Sequence, residues 1–434
     1  MKNLDEFNMK SKKPWEVEGI KWRDVTLKEI TLNTEKINPK NKNPAESFLY
    51  LDISNIDNKN YKVNGWRELT WKNAPSRARK LIKSGDIVFA TTRPYLKNIA
   101  IVPLDLDNQI CSTGFCVLRP NTKFTTSKWI FYNVIRNKFV NYISSKMRGT
   151  SYPAVLDSDI YFSKIPLPFR NGNPDLETQK KIVEYIEANF SRIDKILEKK
   201  KKELEQLDEL WESVLEQVFK PKEGEEWKEM RLGEVCIINP KKSEVKQLLE
   251  QNIEVSFIPM DYVDDTEGKI VRQKIRSIQS VYKGYTYFKE GDVLFAKITP
   301  CMENGKSAIA CNLKNRIGFG STEFHVLRPK ESILSEFIFY FIRRKRFRNL
   351  AKLHFTGTVG HKRVPKEFLI NSKIPLPFRN SKPDIEKQKE IANYLDSVYG
   401  KIRTLREKIQ RQISLLEEMK ESILDEAFNH DETK

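Results

Sequence analysis

The chain has 434 residues and a mass of 51.0 kDa, enough for two or three domains with cores of their own. Its 39% hydrophobic and 31% charged residues exclude a disordered chain, and no apolar run reaches the roughly 18 residues of a membrane span. The opening MKNLDEFNMKSKK lacks the apolar core of a secretion signal, so a cytoplasmic protein with no membrane association is expected, and its formal charge of +18 asks for anionic partners. Five cysteines (Cys111, Cys116, Cys236, Cys301 and Cys311) show no CxxC spacing, and four histidines are scattered, so neither a zinc site nor a disulfide framework is expected.

In chain order, β-type runs at 87–90, 99–102 and 115–118 follow turn signals such as Gly85-Asp86. An amphipathic helix is predicted near 127–147. Lys164 to Asn171 then reads KIPLPFRN, whose prolines predict an extended, semi-rigid exit. Pro174-Asp175 opens a long helix with apolar residues at Ile186, Phe190, Ile193, Leu197, Leu204, Leu207, Trp211, Val214 and Val218, and Lys200 at the one polar position. These steps alternate four and three, which is a heptad seam.

The same order then recurs. The runs at 293–296 and 324–327, a helix near 335–354, a second KIPLPFRN at 373–380 and a second Pro-Asp at 383–384 repeat the first half. Ser112-Thr113-Gly114-Phe115 matches Ser321-Thr322-Glu323-Phe324, Gly149-Thr150 matches Gly357-Thr358, and Gln179 matches Gln388. The second long helix offers Ile391, Leu395, Val398, Ile402, Leu405, Ile409, Leu416, Met419 and Ile423, with Gln412 as its polar seam residue. Each helix of about 43 residues would span about 65 Å, and neither can bury its stripe alone. The expected fold is therefore α+β, with two similar globular domains joined by two long helices that form an antiparallel coiled coil with pseudo-twofold symmetry. The expected boundaries are 1–165 and 222–374 for the globular domains, and 166–221 and 375–434 for the helical segments.

Charge is not spread evenly over this plan. The net values are +12 for 1–165, −2 for 166–221, +9 for 222–374 and −1 for 375–434. The helices are balanced and the globular parts carry the excess. Two separate nucleic-acid-binding surfaces account for this better than a diffuse solubility charge.

Tandem variable domains, each closing on Ile-Pro-Leu-Pro and a helix with Gln-Lys near its start (Gln179-Lys180 and Gln388-Lys389), resemble the specificity (S) subunit of type I restriction-modification systems. The resemblance runs from about Trp15 to Phe428. It implies two target-recognition domains, each reading one half of a split double-stranded DNA sequence, and a helical spacer that sets the gap. It also implies docking of two methylation subunits, which recruit the restriction and motor subunits. S-adenosylmethionine, ATP and Mg would then sit on those partners, with no cofactor or metal in this chain. Phe169 and Phe378 stand where family members often carry a second proline.

The residues expected to touch DNA are polar and basic positions beside the shared framework. In the first domain they are Arg77, Arg79, Lys80, Arg93, Lys97, Arg148, Thr150, Ser151 and Tyr152. In the second they are Arg272, Lys274, Arg276, Lys297, Thr299, Lys306, Thr358, His361, Lys362 and Arg363. Arginine suits guanine edges and phosphates, and hydroxyls serve either. The Arg343-Arg344-Lys345-Arg346 run is either a helix face against phosphates or a solvated one.

No catalytic residues are expected. Asn38-Pro39-Lys40 and Asn239-Pro240-Lys241 lack the second proline and aromatic residue of an adenine methyltransferase loop, and no GxxxxGK[ST] phosphate loop is present. The alternatives left open are a free-standing nucleic-acid-processing enzyme and an RNA-binding scaffold.

Overall fold

A computed structural model describes residues 13–358 and 361–429. It divides into two compact units, residues 1–200 with 411–434 and residues 201–410. Each unit therefore holds one globular module, the first part of one long helix or the last part of it, and the complementary part of the other.

The first module is built from three main sheets and a two-stranded ladder of Ile56–Asp57 with Lys62–Val63. Ile20–Thr26 pairs antiparallel with Lys164–Arg170, running from Ile20 opposite Arg170 to Thr26 opposite Lys164. A four-stranded sheet has the order Arg67–Thr70, Ser47–Leu51, Gln109–Ser112, Ala78–Ile82, with the middle pair parallel. A second four-stranded sheet has the order Thr31–Leu32, Phe115–Pro120, Ile87–Ala90, Ile99–Ile101. The second module repeats this plan strand for strand. Glu226–Arg231 pairs with Lys373–Arg379. The two four-stranded orders are Lys274–Ser277, Glu254–Ile258, Ile317–Gly320, Thr286–Lys289 and Cys236–Ile238, Phe324–Pro329, Val293–Ala296, Ser307–Ile309. The internal repeat is thus a repeat of topology.

KIPLPFR is extended in both copies, as a paired β-strand. Its period-two pattern buries Ile165 and Leu167, and Ile374 and Leu376, completely. The prolines cost little there, because this strand pairs along its length on one side only. The expected helix at 127–147 is two helices, Ser127–Val134 and Asn137–Ser144, and that at 335–354 is Ser335–Arg343 and Lys345–Leu353. The break falls at Arg136 and Arg344, both with φ −58° and ψ near 137°. The aromatic runs at 129–132 and 337–340 are core: Trp129 and Phe337 are fully buried.

The long helices are Leu176–Val218 and Ile385–Phe428, 43 and 44 residues. Pro174 and Pro383 end short strands, and the residue after each is the cap. Asp175 accepts a bond from the Thr178 amide at 3.0 Å, and Asp384 from the Lys387 amide at 3.0 Å. Arg170 and Arg379 hold the same carboxylates at 2.8 Å. Gln179 and Gln388, fully buried, donate to the Phe124 and Ser332 carbonyls and so tie each helix start to its own module.

Within the second unit the helices run antiparallel: Asp208 pairs with Arg406, and one turn on Trp211 meets Tyr399 at 5.0 Å. Within the first unit Asp194 pairs with Lys420, which also lies over the Phe190 ring. The seam of the first helix follows the expected positions. Ile186, Ile193 and Leu197 are buried, and Phe190, Leu204, Leu207 and Trp211 are half-buried.

The second helix needs a correction. Ile391, Leu395, Ile402 and Leu416 are buried and Ile409 is half-buried, but Leu405 is 48% exposed and Gln412 is exposed. The seam steps instead through Ile402, Arg406, Ile409, Ile413, Leu416, Lys420 and Ile423. Arg406 and Lys420 lay their stems along it and pair with aspartates across it, so a cation takes the position that apolar counting gave to leucine.

Candidate nucleic-acid interface

In the first module, backbone bonds gather four separate loops. The Thr113 amide donates to Arg77 at 2.8 Å, the Thr91 amide to Gly114 at 2.8 Å, the Val155 amide to Thr91 at 3.0 Å and the Arg93 amide to Pro153 at 2.9 Å. Arg93 takes a left-handed conformation (φ 49°) to make this junction, and its guanidinium lies 5.6 Å from the centre of the Tyr152 ring. Tyr152 is 76% exposed. Arg148 forms a two-pronged pair with Asp159 at 2.6 and 3.3 Å, which holds the carboxyl below its usual range. Thr150 and Ser151 are exposed in the turn between them, and Arg77 and Arg79 are exposed beside the edge strand. Arg79 donates to the Ser76 carbonyl at 2.7 Å.

Two predicted contacts of this module point elsewhere. Lys80 is buried, bonded at 2.5 Å to both the Phe115 carbonyl and Asp157. An ammonium inside a sheet layer must be paired, and this one is. Lys97 is paired at 2.8 Å with Glu421 of the second long helix, so it holds the stalk.

In the second module the Lys297 amide donates to Glu323, the Val364 amide to Lys297 and the Thr299 amide to Lys362, at 2.9 to 3.0 Å. Arg363 grips Glu323 with two bonds of 2.8 and 2.9 Å. Glu323 is held below the usual carboxylate range by that arginine. Thr299 donates to Glu303 at 2.7 Å, and Lys306 reaches the Met260 carbonyl at 3.3 Å. Thr358, His361 and Lys362 are exposed on the same loop, joined by a bond from the His361 amide to Thr358. Arg272, Lys274 and Arg276 lie at an exposed edge strand, where Lys274 and Arg276 stack over Tyr262 and Phe257 at 5.5 and 4.8 Å. Asp159 and Glu323 are not legible from basic loops alone, since an acid paired with an arginine 11 or 40 residues away carries no local signal, and Glu303 enters only through Thr299.

The basic run at 343–346 is neither a phosphate-facing stripe nor a solvated face at its first two positions. Arg343 caps the Asp265 and Thr266 carbonyls at 3.0 and 2.9 Å. Arg344 is buried over Phe219 and Phe341 and lies 3.5 Å from Glu216 of the first long helix. Arg136 repeats this arrangement in the first module, over Phe428 and 3.5 Å from Asp425. Glu212 accepts the Lys345 amide at 3.0 Å and Glu421 the Asn137 amide at 3.2 Å. These duplicated clamps explain the break in each amphipathic helix: the freed amide and the arginine both seize the stalk.

Burial pushes the thiols of Cys111, Cys116 and Cys236 up, and so makes them unreactive. Among the described residues no group of three or more His, Cys, Asp or Glu could hold a metal ion, and no helix is long and apolar enough to cross a membrane.

The model of the type I restriction modification DNA specificity domain matches twice, over residues 19–206 and 224–415. The chain belongs to that family. Among curated relatives it is similar to the EcoEI specificity subunit of Escherichia coli, 39% identical over 163 residues, which are 37% of this chain and 26% of that one. The EcoAI specificity subunit of the same species is 36% identical over 208 residues, 48% of this chain and 33% of that one. The aligned stretches thus span a quarter to a third of those relatives' length. Two solved structures align nearly end to end at 33% identity. One, from work on complex assembly and conformational transition of the type I R-M system, covers 95% of this chain and 98% of its own, with a TM-score of 0.75. The HsdS subunit of Thermoanaerobacter tengcongensis covers 98% and 99%, with a TM-score of 0.55.

Proposed function

We propose that this chain is the non-catalytic, sequence-reading subunit of a type I restriction-modification complex, in which each module reads one half of a split double-stranded DNA site. The carrying observation is that each module gathers exposed and half-buried basic and hydroxyl side chains onto loops joined by backbone bonds, above a framework that the two modules share. Arg93, Arg148, Thr150, Ser151 and Tyr152 supply such a face in one, and Lys297, Thr299, Lys362 and Arg363 in the other. The framework is common and the loops differ, as a target with unlike halves requires. A guanidinium already paired with a carboxylate is held in a fixed plane, ready for a two-pronged bond to a base edge once the carboxylate is exchanged or shared.

On this reading the paired helices space the two readers and dock two methylation subunits, through which restriction and motor subunits join. S-adenosylmethionine, ATP and Mg belong to those partners, and the complex works in the cytoplasm. A genome-wide methylation map of a strain expressing this chain with its partner subunits tests it. The expected result is a modified sequence in two short blocks with an unread gap. Cleavage or methylation of DNA by the purified chain alone would contradict it.

A further inference from the structure

The two modules share a framework, but one position in it is filled by side chains in the first and open in the second. In the first, Lys80 stands opposite Cys111 in the sheet, and its ammonium bonds the Phe115 carbonyl and Asp157 at 2.5 Å. The segment after Thr34 closes over it, with the Ile37 amide donating to Arg79 and the Leu81 amide to Glu35. In the second, the place of Lys80 is taken by Thr286, opposite Gly320. The place of Asp157, first residue of its helix, is taken by Lys366. The segment after Asn239 winds into the helical turns Lys242–Leu249, which pack on the strand further along, through Val245 and a 3.3 Å bond from the Tyr287 hydroxyl to Glu244, and leave Thr286 uncovered at its start. What remains is a cavity of about 250 Å³.

Its walls are basic and rich in donors. Asn239, Lys242, Tyr285, Thr286, Lys297 and Thr322 face it, and no Asp or Glu is among its lining residues. Lys242 is anchored, bonded to the Tyr282 carbonyl at 2.9 Å and lying over the Tyr282 ring, with further N–H donors to give. Lys297 makes its hydrogen bonds through its backbone, and among the described residues its ammonium has no hydrogen-bond or ion-pair contact, only the longer-range attraction of the Glu323 carboxylate. Asn239 is fixed by bonds to the Val326 amide and to His325, whose other ring nitrogen meets the Val364 carbonyl at 2.8 Å. The larger cavity of about 510 Å³ offers a contrast: Asp208, Glu209, Glu212 and Glu303 share its wall with Lys345, Arg348 and Lys352, so carboxylates outnumber its cations.

We propose that the smaller cavity is a phosphate-binding site of the second module, taken in the working protein by a backbone phosphodiester of the DNA. Two ammonium groups, two threonine hydroxyls and a tyrosine hydroxyl present the donors that a tetrahedral oxyanion accepts. The cavity opens beside Lys297 and Thr322, next to the loops that carry Thr299, Glu323 and Arg363. The first module closes the same place with its own ion pair, so the grip is one-sided. The assignment to DNA rests on the reading above; the affinity for phosphate does not.

The test uses the full chain with two variants, Lys297→Met and the double change T286K/K366D, which rebuilds the first module's ion pair inside the cavity. Inorganic phosphate is titrated at constant ionic strength and followed by ³¹P line broadening. Binding of a fluorescein-labelled 40-base-pair duplex is measured across a salt series. Saturable phosphate binding is expected in the native chain, weaker on the order of tenfold in Lys297→Met and lost in the double variant. The slope of log K against log salt should fall by about one in both variants. No saturable phosphate binding in the native chain, with slopes unchanged in both variants, would overturn the site. Saturable phosphate binding with unchanged slopes would overturn the phosphodiester assignment and make free phosphate the ligand. A native chain that saturates with phosphate but never binds duplex would sink the DNA-reading function while leaving the cavity's chemistry intact.

Discussion

The two modules agree in the ion pairs that fix their shared strands and stalk contacts, and differ in the side chains of their faces. Asp86 with Arg119 and Asp292 with Arg328 are the same buried pair, at 2.8 and 2.7 Å, beneath the same strands. Arg136 with Asp425 and Arg344 with Glu216 are the same clamp on the stalk. On the faces the backbone bonds repeat but the side-chain pairs do not: Arg148 grips Asp159 in one module, and Arg363 grips Glu323 in the other. His325 bridges Asn239 and Val364 where the first module has the buried thiol of Cys116. Buried ion pairs hold the copies to one plan because an unpaired partner is costly, whereas an exposed loop changes residue at little cost.

The strongest way to break this contrast is to orphan a framework charge. Asp292→Ala leaves Arg328 buried with only Glu244 for company, and should cost the second module about 3–5 kcal/mol. Hydrogen exchange should show the loss in strands 293–296 and 324–329, while Asp86→Ala gives the corresponding loss in the first module. A cost below about 1 kcal/mol for either would mean that the pair is not what fixes the common plan.

The stalk sharpens the same point at smaller scale. Leu416→Ala, at a buried seam position, should destabilise the first unit by about 2–4 kcal/mol, and Leu405→Ala, at an exposed one, by less than about 0.5 kcal/mol in thermal or urea melts. Equal costs would restore the simple leucine seam and remove Arg406 from it.

The smallest effect is one of pH. Glu225, held by the Lys222 amide first and then by the Lys387 ammonium, has its pKa lowered to about 2. A carboxyl depressed in the folded state adds stability that is full above its unfolded value near 4.5 and disappears as pH falls through about 2. Because the group is largely solvated, the contribution is about 0.5 kcal/mol or less. The native chain should therefore be more stable than Glu225→Gln by this small amount at every pH above about 5, with the difference vanishing as pH falls through about 2, and a difference that persists unchanged below pH 2 would refute the assignment.

Much of this plan was legible in the residues. Matched strings such as KIPLPFRN carry the topology because a buried strand needs the same alternation wherever it recurs, and the Pro-Asp pairs mark both helix caps within one residue. The break at Arg136 and Arg344 was hidden, since apolar periodicity runs straight through it; only the distant Asp425 and Glu216 give those arginines a reason to end a helix. Leu405 misled because counting treats every leucine as a seam residue and every arginine as surface. Among the candidate contacts, Lys80 and Lys97 looked like loop cations, and their partners, Asp157 and Glu421, lie 77 and 324 residues away. Loop charge is readable from sequence, but what already occupies it is a matter of tertiary pairing.

The most direct measurement exchanges residues 20–165 for the equivalent module of a relative, assembles the chain with its methylation subunits, and maps the methylated sites genome-wide. The modified sequence should change in one block while the other block and the gap stay as they were. A change in both blocks, or in the gap, would contradict the claim that each face reads on its own.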